Sequence, residues 1–135
     1  MRKATPDDIE QIVDLGRRFH ASTHWSRVEA KDEDLANFAL GVMQNGVIFL
    51  DGDGMCGGVM TPAFFNKSVK VAAELFWYAT TGGKQLRSAF EEWGRENGAS
   101  FCQFSGLEST RSDSLDRLYR MAGYGAVEMA YLKVL

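Results

Sequence analysis

An apolar run, AAELFWY, ends at a Thr-Thr-Gly-Gly-Lys turn and is followed at once by a helical pattern within residues 72–93. The run predicts a long strand from about residue 69 to residue 78. The apolar spacing after the turn predicts a helix whose buried face comprises Leu86, Ala89, Phe90 and Trp93. A strand that passes through glycines into a helix presents the backbone amides of the helix N-terminus beyond the strand end. The turn is therefore either an anion-binding loop or a plain connection.

The first half of the chain predicts an edge strand and two helices. Residues 1–4 predict the strand, Thr5 suits a helix N-cap, and Pro6 suits the first helical position. The buried face of this first helix comprises Ile9, Ile12, Val13, Gly16 and Phe19. The second helix ends at Asn45-Gly46, and its apolar face comprises Leu35, Phe38, Ala39, Val42 and Met43.

The apolar period changes from that of a helix to that of a strand after residue 46. Residues 47–50 and 55–61 predict two strands joined by the hairpin turn Asp51-Gly-Asp-Gly. Residues 62–68 predict a loop that leads to the long strand ending at residue 78. The helix after the Thr-Thr-Gly-Gly-Lys turn closes at Asn97-Gly98, where a glycine C-cap is expected.

The C-terminal third predicts three further elements. Residues 100–104 predict a short strand, and a fourth helix ending at Gly123 has Leu115, Leu118 and Ala122 on its apolar face. Residues 126–134 alternate and predict a final strand. The complete order, β-αα-βββ-α-β-α-β, predicts an α/β (α+β) fold in which helices flank a mixed sheet.

Length and charge limit the class of protein. A chain of 135 residues with 45% hydrophobic and 24% charged residues fits one domain, 1–135, with a substantial core. A net charge of -3 argues against a nucleic-acid partner. No apolar run approaches the roughly 20 residues of a membrane span, and the N-terminus turns acidic where a signal peptide would turn apolar, so a cytoplasmic protein with no membrane partner is expected. Cys56 and Cys102 are expected to be reduced core thiols.

Three short motifs suggest a nucleotide or metal site and fail on spacing. A Walker A loop would need a glycine where Tyr78 stands. His20 and His24 have the right separation for zinc, but the intervening Glu frame and a third ligand are missing. The turn at residues 51–54 resembles the start of a calcium loop, but the twelfth position is not acidic. We therefore expect no metal site.

The order of elements, the glycine turn before the third helix and the C-terminal sequence LYRMAGYGAVEMAYLKVL together resemble the GCN5-related N-acetyltransferase (GNAT) family. In that family the fourth helix usually contains Leu-Tyr-x-x-x-Gly-Phe/Tyr. The similarity covers essentially the whole chain and is strongest to short bacterial and bacteriophage members. It implies a mixed, partly splayed central sheet with about four flanking helices.

The resemblance also implies a reaction. Acetyl-CoA, a cosubstrate, would lie in a V-shaped split between two parallel central strands, with its pyrophosphate on the turn before the third helix. A primary amine of a protein or small molecule would attack the thioester directly. The backbone groups of Leu75, Phe76 and Trp77 would pair with the acetyl carbonyl and the pantetheine as an added strand does.

Three side chains match functional positions of the family. Glu74 stands where some members have a general base, although such a carboxylate can instead face solvent or pair with a basic residue. Tyr119 matches the tyrosine that protonates the departing thiolate, or it is a packing residue one turn beyond Leu115. Ser112 stands where many members have an asparagine that bonds the CoA arm, and it is equally suited to be a helix N-cap.

The pyrophosphate turn departs from the family pattern Arg/Gln-x-x-Gly-x-Gly/Ala. Aligning Gly83 with the last glycine puts Tyr78 at the Arg/Gln position, with residues missing between strand and helix. A shortened turn presents fewer amides to a phosphate, and a plain connection is the alternative. Hydroxyl, amide and ammonium groups that could compensate come from Thr80, Thr81, Gly82, Gly83, Lys84 and Gln85.

The resemblance places part of the acceptor site in the loop over residues 19–27. His24 and Trp25 would line it, and Phe64, Phe65 and Asn66 would either complete an aromatic mouth or pack at the core or rim. The final strand could pair across a homodimer. A catalytically degenerate binding or interaction protein with the same fold is the alternative function, because the turn is short and the asparagine is missing.

Overall fold

The computed structural model describes residues 1–106 and 112–135, with only the backbone at Ser112. Contacts divide the described chain into two units, Met1–Ser105 and Gly106–Leu135. The first unit holds a sheet and three α-helices, and the second holds the fourth α-helix.

The four helices lie where the apolar periodicity predicts them. They are α1 (Ile9–Ala21), α2 (Asp32–Asn45), α3 (Gly83–Glu96) and α4 (Ser112–Met121). A 3₁₀ turn at Pro6–Asp8 leads into α1, and Asp8 closes it by accepting a hydrogen bond from the Thr5 amide at 2.8 Å. Gly98 and Gly123, which both have positive φ, follow the ends of α3 and α4 as predicted.

The described sheet has five strands in the spatial order β1-β2-β3-β4-β5. They are β1 (Arg2–Lys3), β2 (Gly46–Asp51), β3 (Gly54–Ala63), β4 (Asn66–Tyr78) and β5 (Phe101–Gln103). The first four pair antiparallel with their neighbours, whereas β4 and β5 are parallel. The predicted mixed sheet is therefore confirmed, and the parallel pair is joined by the crossover through α3.

Two hydrophobic clusters cover the two faces of the sheet. Helices α1 and α2 cover one face, where the buried residues are Ile12, Leu15, Ala39, Val42, Ile48, Leu50, Met55 and Phe76. Helix α3 covers the other, where the buried residues are Val47, Phe49, Cys56, Ala72, Leu86, Phe90 and Trp93. Successive side chains of β2 thus belong to the two clusters in turn, as expected for a central strand. Both cysteines are free thiols, Cys56 buried and Cys102 half-buried, as predicted.

The predicted loop over residues 62–68 is wrong. Strand β3 continues to Ala63 and β4 starts at Asn66, so Phe64 and Phe65 form a two-residue hairpin turn. Pro62 and two phenylalanines are not residues typical of a hairpin turn, so the neighbouring sequence gives no signal for it. A register irregularity between Pro62 and Ala63 accommodates the proline within the strand.

The predicted final strand over residues 126–134 is also wrong. The segment after Tyr124 is neither helix nor strand, and side chains such as Val127 and Tyr131 are exposed. An alternating pattern determines which side chains share a face, but a strand also needs a neighbour to complete its hydrogen bonds. The proposed pairing across a homodimer loses its basis with this strand.

Candidate active site

Strand β4 carries a β-bulge opposite two glycines of β3. Gly57 pairs with Phe76 and Gly58 pairs with Glu74, which makes Leu75 the extra residue. The glycines are needed because a Cβ on Gly57 would collide with the Phe76 ring, and one on Gly58 with the Ala73 carbonyl oxygen. A bulge bends its strand and increases the local twist, and bulges are frequent beside active sites.

Strands β4 and β5 separate next to this bulge. Their parallel pairing covers only Val71–Ala73 and Phe101–Gln103. Strand β4 continues to Tyr78, and within residues 1–106 and 112–135 no strand lies beside it on that side after Ala73. A gap therefore opens at the carboxyl ends of the two parallel strands, which is the usual position of ligand sites in sheets of this kind.

Glu74 is the first residue of β4 beyond the paired segment. Its Oε2 atom accepts a hydrogen bond from the Ser105 amide at 2.9 Å, so the carboxylate reaches across the gap to the chain after β5. The side chain is half-buried, and burial raises the pKa of Glu74 to about 7, against a smaller lowering by the Ser105 hydrogen bond. A carboxyl group with this pKa can accept a proton and release it again near neutral pH.

The turn between β4 and α3 is built on Gly82. This residue has φ +72°, a left-handed conformation that favours glycine, and its carbonyl oxygen accepts the amides of Gln85 and Leu86. In the described chain the amides of Gly83 and Lys84 have no hydrogen-bond partner. Two free amides therefore lie at the positive end of the α3 dipole.

The other predicted residues of the turn lie around these amides. Thr80, Thr81, Lys84 and Gln85 are exposed, and within the described chain Lys84 forms no ion pair. Gly83 lies close to Trp77: a Cβ on this glycine would be 3.3 Å from the indole Cζ2 atom. The structure thus brings the predicted turn residues together, but the Gln85 amide is already used by Gly82.

Asp51 belongs to this site and was not found from the sequence. It is the last residue of β2, and its Oδ2 atom lies 3.0 Å from the position that a Cβ on Gly82 would occupy. The sequence marked Asp51 only as the start of a hairpin turn. No sequence signal relates it to Gly82, because their proximity follows from the order in which the strands assemble.

The predicted acceptor residues His24 and Trp25 lie in a 3₁₀ turn, His24–Arg27, that follows α1. Their rings are 5.1 Å apart, and Trp25 is 45% exposed. Near the end of α1 the Phe19 ring lies 5.7 Å from the Tyr78 ring, so α1 reaches the carboxyl end of β4. The two residues therefore follow a helix that contacts the strand bearing Glu74.

Phe64 and Phe65 lie at the opposite end of β4 from the glycine turn. They are 91% and 96% exposed and contact each other at a ring separation of 5.1 Å. They do not pack in the core, and the length of β4 separates them from Tyr78. The aromatic mouth predicted for them together with His24 and Trp25 is thus not supported by their position.

Tyr119 and Ser112 belong to the second unit. Tyr119 is half-buried in α4, with its ring 5.4 Å from that of Tyr124 and its Cε2 atom 3.8 Å from where a Cβ on Gly106 would lie. The predicted contact of Ser112 with CoA falls on a side chain outside the described residues.

The described residues contain neither a cluster of metal ligands nor a helix that could cross a membrane. No group of three or more His, Cys, Asp or Glu side chains in this part of the chain is arranged to hold a metal ion. None of its helices has the length and hydropathy that crossing a membrane requires.

No protein-family model and no curated protein matches the chain. Solved structures match it over almost its whole length. An acetyltransferase from Trypanosoma brucei has 21% identity and a TM-score of 0.67, covering 99% of this chain and 97% of that one. An aminoglycoside N-acetyltransferase in complex with CoA has 14% identity and a TM-score of 0.67, covering 99% and 92%. A predicted acetyltransferase from Clostridium acetobutylicum with acetyl-CoA has 14% identity and a TM-score of 0.69, covering 99% and 94%.

The chain has the GNAT fold. The family resemblance is therefore confirmed for the fold. Identities of 14% to 21% establish the GNAT fold alone. The roles of individual residues depend on the geometry of the site.

Proposed function

We propose that this chain is an acetyl-CoA-dependent N-acetyltransferase that transfers the acetyl group directly to a primary amine. The supporting observation is that strand β4 carries one part that the reaction needs and leads through the glycine turn to the other. Glu74, with a pKa raised to about 7, lies at the apex of the gap, and the free amides of Gly83 and Lys84 follow the end of the same strand.

The donor would lie along β4 with its pyrophosphate at the N-terminus of α3. The amides of Gly83 and Lys84, the Lys84 ammonium and the hydroxyls of Thr80 and Thr81 are the groups that would hold it. An extended pantetheine arm can pair with the backbone of residues 75–77, because the described sheet has no strand there.

The chemical step joins the amine nitrogen to the thioester carbonyl carbon and breaks the carbon–sulfur bond. An amine is protonated at neutral pH and must lose a proton before it can attack. Glu74 would accept that proton, directly or through one water molecule, and its pKa near 7 suits this exchange. The departing CoA thiolate needs a proton, a role that the family resemblance assigns to the Tyr119 hydroxyl, so that acetyl amide and CoA thiol are the products.

The acceptor would enter past the turn that follows α1, where His24 and Trp25 can contact it. The exposed indole of Trp25 offers an apolar and cation-binding face, which suits a protonated amine before it reaches Glu74. One matched structure is an aminoglycoside N-acetyltransferase, and aminoglycosides therefore belong among the amines to be tested here.

The test is an assay of CoA thiol release with acetyl-CoA and a panel of primary amines: an aminoglycoside, a polyamine and a lysine-containing peptide. We expect amine-dependent thiol release with at least one of them, together with the acetylated product by mass spectrometry. Donor binding without transfer to any amine would instead favour a binding or interaction protein.

A further inference from the structure

Asp51 places a negative charge beside the proposed pyrophosphate turn. Its Oδ2 and Cγ atoms lie 3.0 Å and 3.8 Å from the position of a Cβ on Gly82. The side chain is 34% exposed, and its Oδ1 atom lies 3.5 Å from the Met1 ammonium group. Among the described residues, the turn amides donate no hydrogen bond to this carboxylate.

A carboxylate in this position has a physical reason that does not involve a ligand. The N-terminus of a helix carries a partial positive charge, and an anion near it stabilises the helix. The residues of the first turn of α3 include no acidic side chain that could serve this purpose. Asp51, supplied by the neighbouring hairpin, is therefore the anion next to the α3 N-terminus in the described chain.

The pyrophosphate of CoA is attracted by the same helix end, so Asp51 and the donor compete for it. We infer that Asp51 weakens the binding of the donor pyrophosphate and thereby sets the affinity for acetyl-CoA. This inference rests on the proposed function, since it concerns the turn that would hold the donor. It makes Asp51 a residue that tunes affinity and has no part in the chemical step.

The size of the effect follows from Coulomb's law. Two unit charges about 6 Å apart at an effective dielectric constant of about 20 change a binding constant by roughly a hundredfold. Partial exposure and salt reduce this figure, and we expect about tenfold tighter CoA binding when the charge is removed.

The same hairpin supplies a matched control in Asp53. This residue has the same charge, is 69% exposed, and faces Arg18 of α1 at 3.7 Å. Gln11 of α1 also donates to the Gly52 carbonyl oxygen, which holds this part of the hairpin against α1. Asp53→Asn therefore removes an equal charge that is directed at α1.

The experiment compares wild-type protein with Asp51→Asn and Asp53→Asn by calorimetry, using CoA and S-acetylpantetheine, which lacks the pyrophosphate. Circular dichroism and melting temperature verify that each variant is folded. We expect Asp51→Asn to bind CoA about tenfold more tightly and S-acetylpantetheine with unchanged affinity, while Asp53→Asn alters neither by more than twofold.

The outcomes separate this inference from the proposed function. Equal CoA affinity in wild-type and folded Asp51→Asn protein would overturn the role of Asp51 alone. Tighter binding of both ligands by Asp51→Asn would also overturn it. S-acetylpantetheine has no pyrophosphate, so a gain in its affinity cannot come from removing competition between Asp51 and the pyrophosphate. Failure of all three proteins to bind CoA would contradict the proposed function and with it this inference.

Discussion

The Glu74 carboxylate accepts a hydrogen bond from the Ser105 amide at 2.9 Å, across the gap that separates β4 from the chain after β5. One titratable side chain thus bridges the two chain segments at the point where β4 and β5 cease to be paired. Its charge state matters for stability as well as for catalysis, because burial raises the pKa of this group to about 7. The two consequences can be measured separately.

Glu74→Gln tests the catalytic consequence. Glutamine keeps a carbonyl oxygen that can accept the Ser105 hydrogen bond, but it cannot take a proton from the amine. Loss of a general base lowers turnover by about a hundredfold to ten-thousandfold, and we expect a fall of this size in kcat with acetyl-CoA affinity preserved. Glu96→Gln, an exposed glutamate at the end of α3, is the control. A Glu74→Gln enzyme with wild-type kcat would exclude Glu74 as the base.

The raised pKa of Glu74 also predicts how stability depends on pH. The folded protein holds this proton up to about pH 7, whereas the ordinary value for the unfolded chain is 4.5. The contribution of Glu74 to stability therefore falls as pH rises from about 4.5 to about 7, by up to about 3 kcal/mol, and then stays constant.

Denaturant unfolding at pH 5 and pH 8 measures this fall. Glu74→Gln has no proton to lose, so we expect the variant to lose less stability between the two pH values than the wild type does. Identical losses in both proteins would show that Glu74 titrates at its ordinary pKa.

Gly82→Ala tests the backbone conformation of the turn. A side chain at φ +72° is strained, and a Cβ would also lie 3.0 Å from Asp51 Oδ2, so we expect a loss of about 1–2 kcal/mol of stability. Gly41→Ala is the matched control, because nothing lies within 4 Å of a Cβ there. Gly41 is interior to α2, and alanine should stabilise the protein by about 1 kcal/mol. Chemical denaturation of both variants should give opposite signs, and equal effects would contradict the described turn.

Tyr119→Phe tests the proposed proton donor. Phenylalanine keeps the ring that packs 5.4 Å from Tyr124 and removes only the hydroxyl, so folding should be preserved. We expect kcat to fall while the dissociation constant for acetyl-CoA changes little, because the proton is needed only when the thiolate leaves. Tyr124→Phe removes a neighbouring hydroxyl as a control. Unchanged turnover in Tyr119→Phe would remove this residue from the mechanism.

Local chemistry accounts for the parts of the fold that the sequence predicts well. The helix start at Thr5-Pro6 and the turns at Gly52, Gly82 and Gly98 depend on backbone conformations that particular residues favour, so neighbouring sequence is sufficient. The position of Glu74 on the strand that precedes the glycine turn follows from the same local order. Its raised pKa does not, because the pKa depends on burial by residues distant in the chain.

Pairing between distant strands accounts for what the sequence leaves open. The bulge at Leu75, the Ser105 hydrogen bond to Glu74 and the proximity of Asp51 to Gly82 all depend on which strands are neighbours and in which register. The strand predicted over residues 126–134 is wrong for the same reason. An alternating pattern shows which side chains share a face, but it does not show whether a partner strand is present.

Calorimetric titration with acetyl-CoA measures whether a turn that lacks the usual arginine still holds the donor. We expect saturable binding of one acetyl-CoA per chain. We also expect acetyl-CoA at a hundred times its dissociation constant to stabilise the protein by about 2.7 kcal/mol, seen as a higher melting temperature. No heat of binding and no shift in melting temperature at millimolar acetyl-CoA would contradict the proposed function.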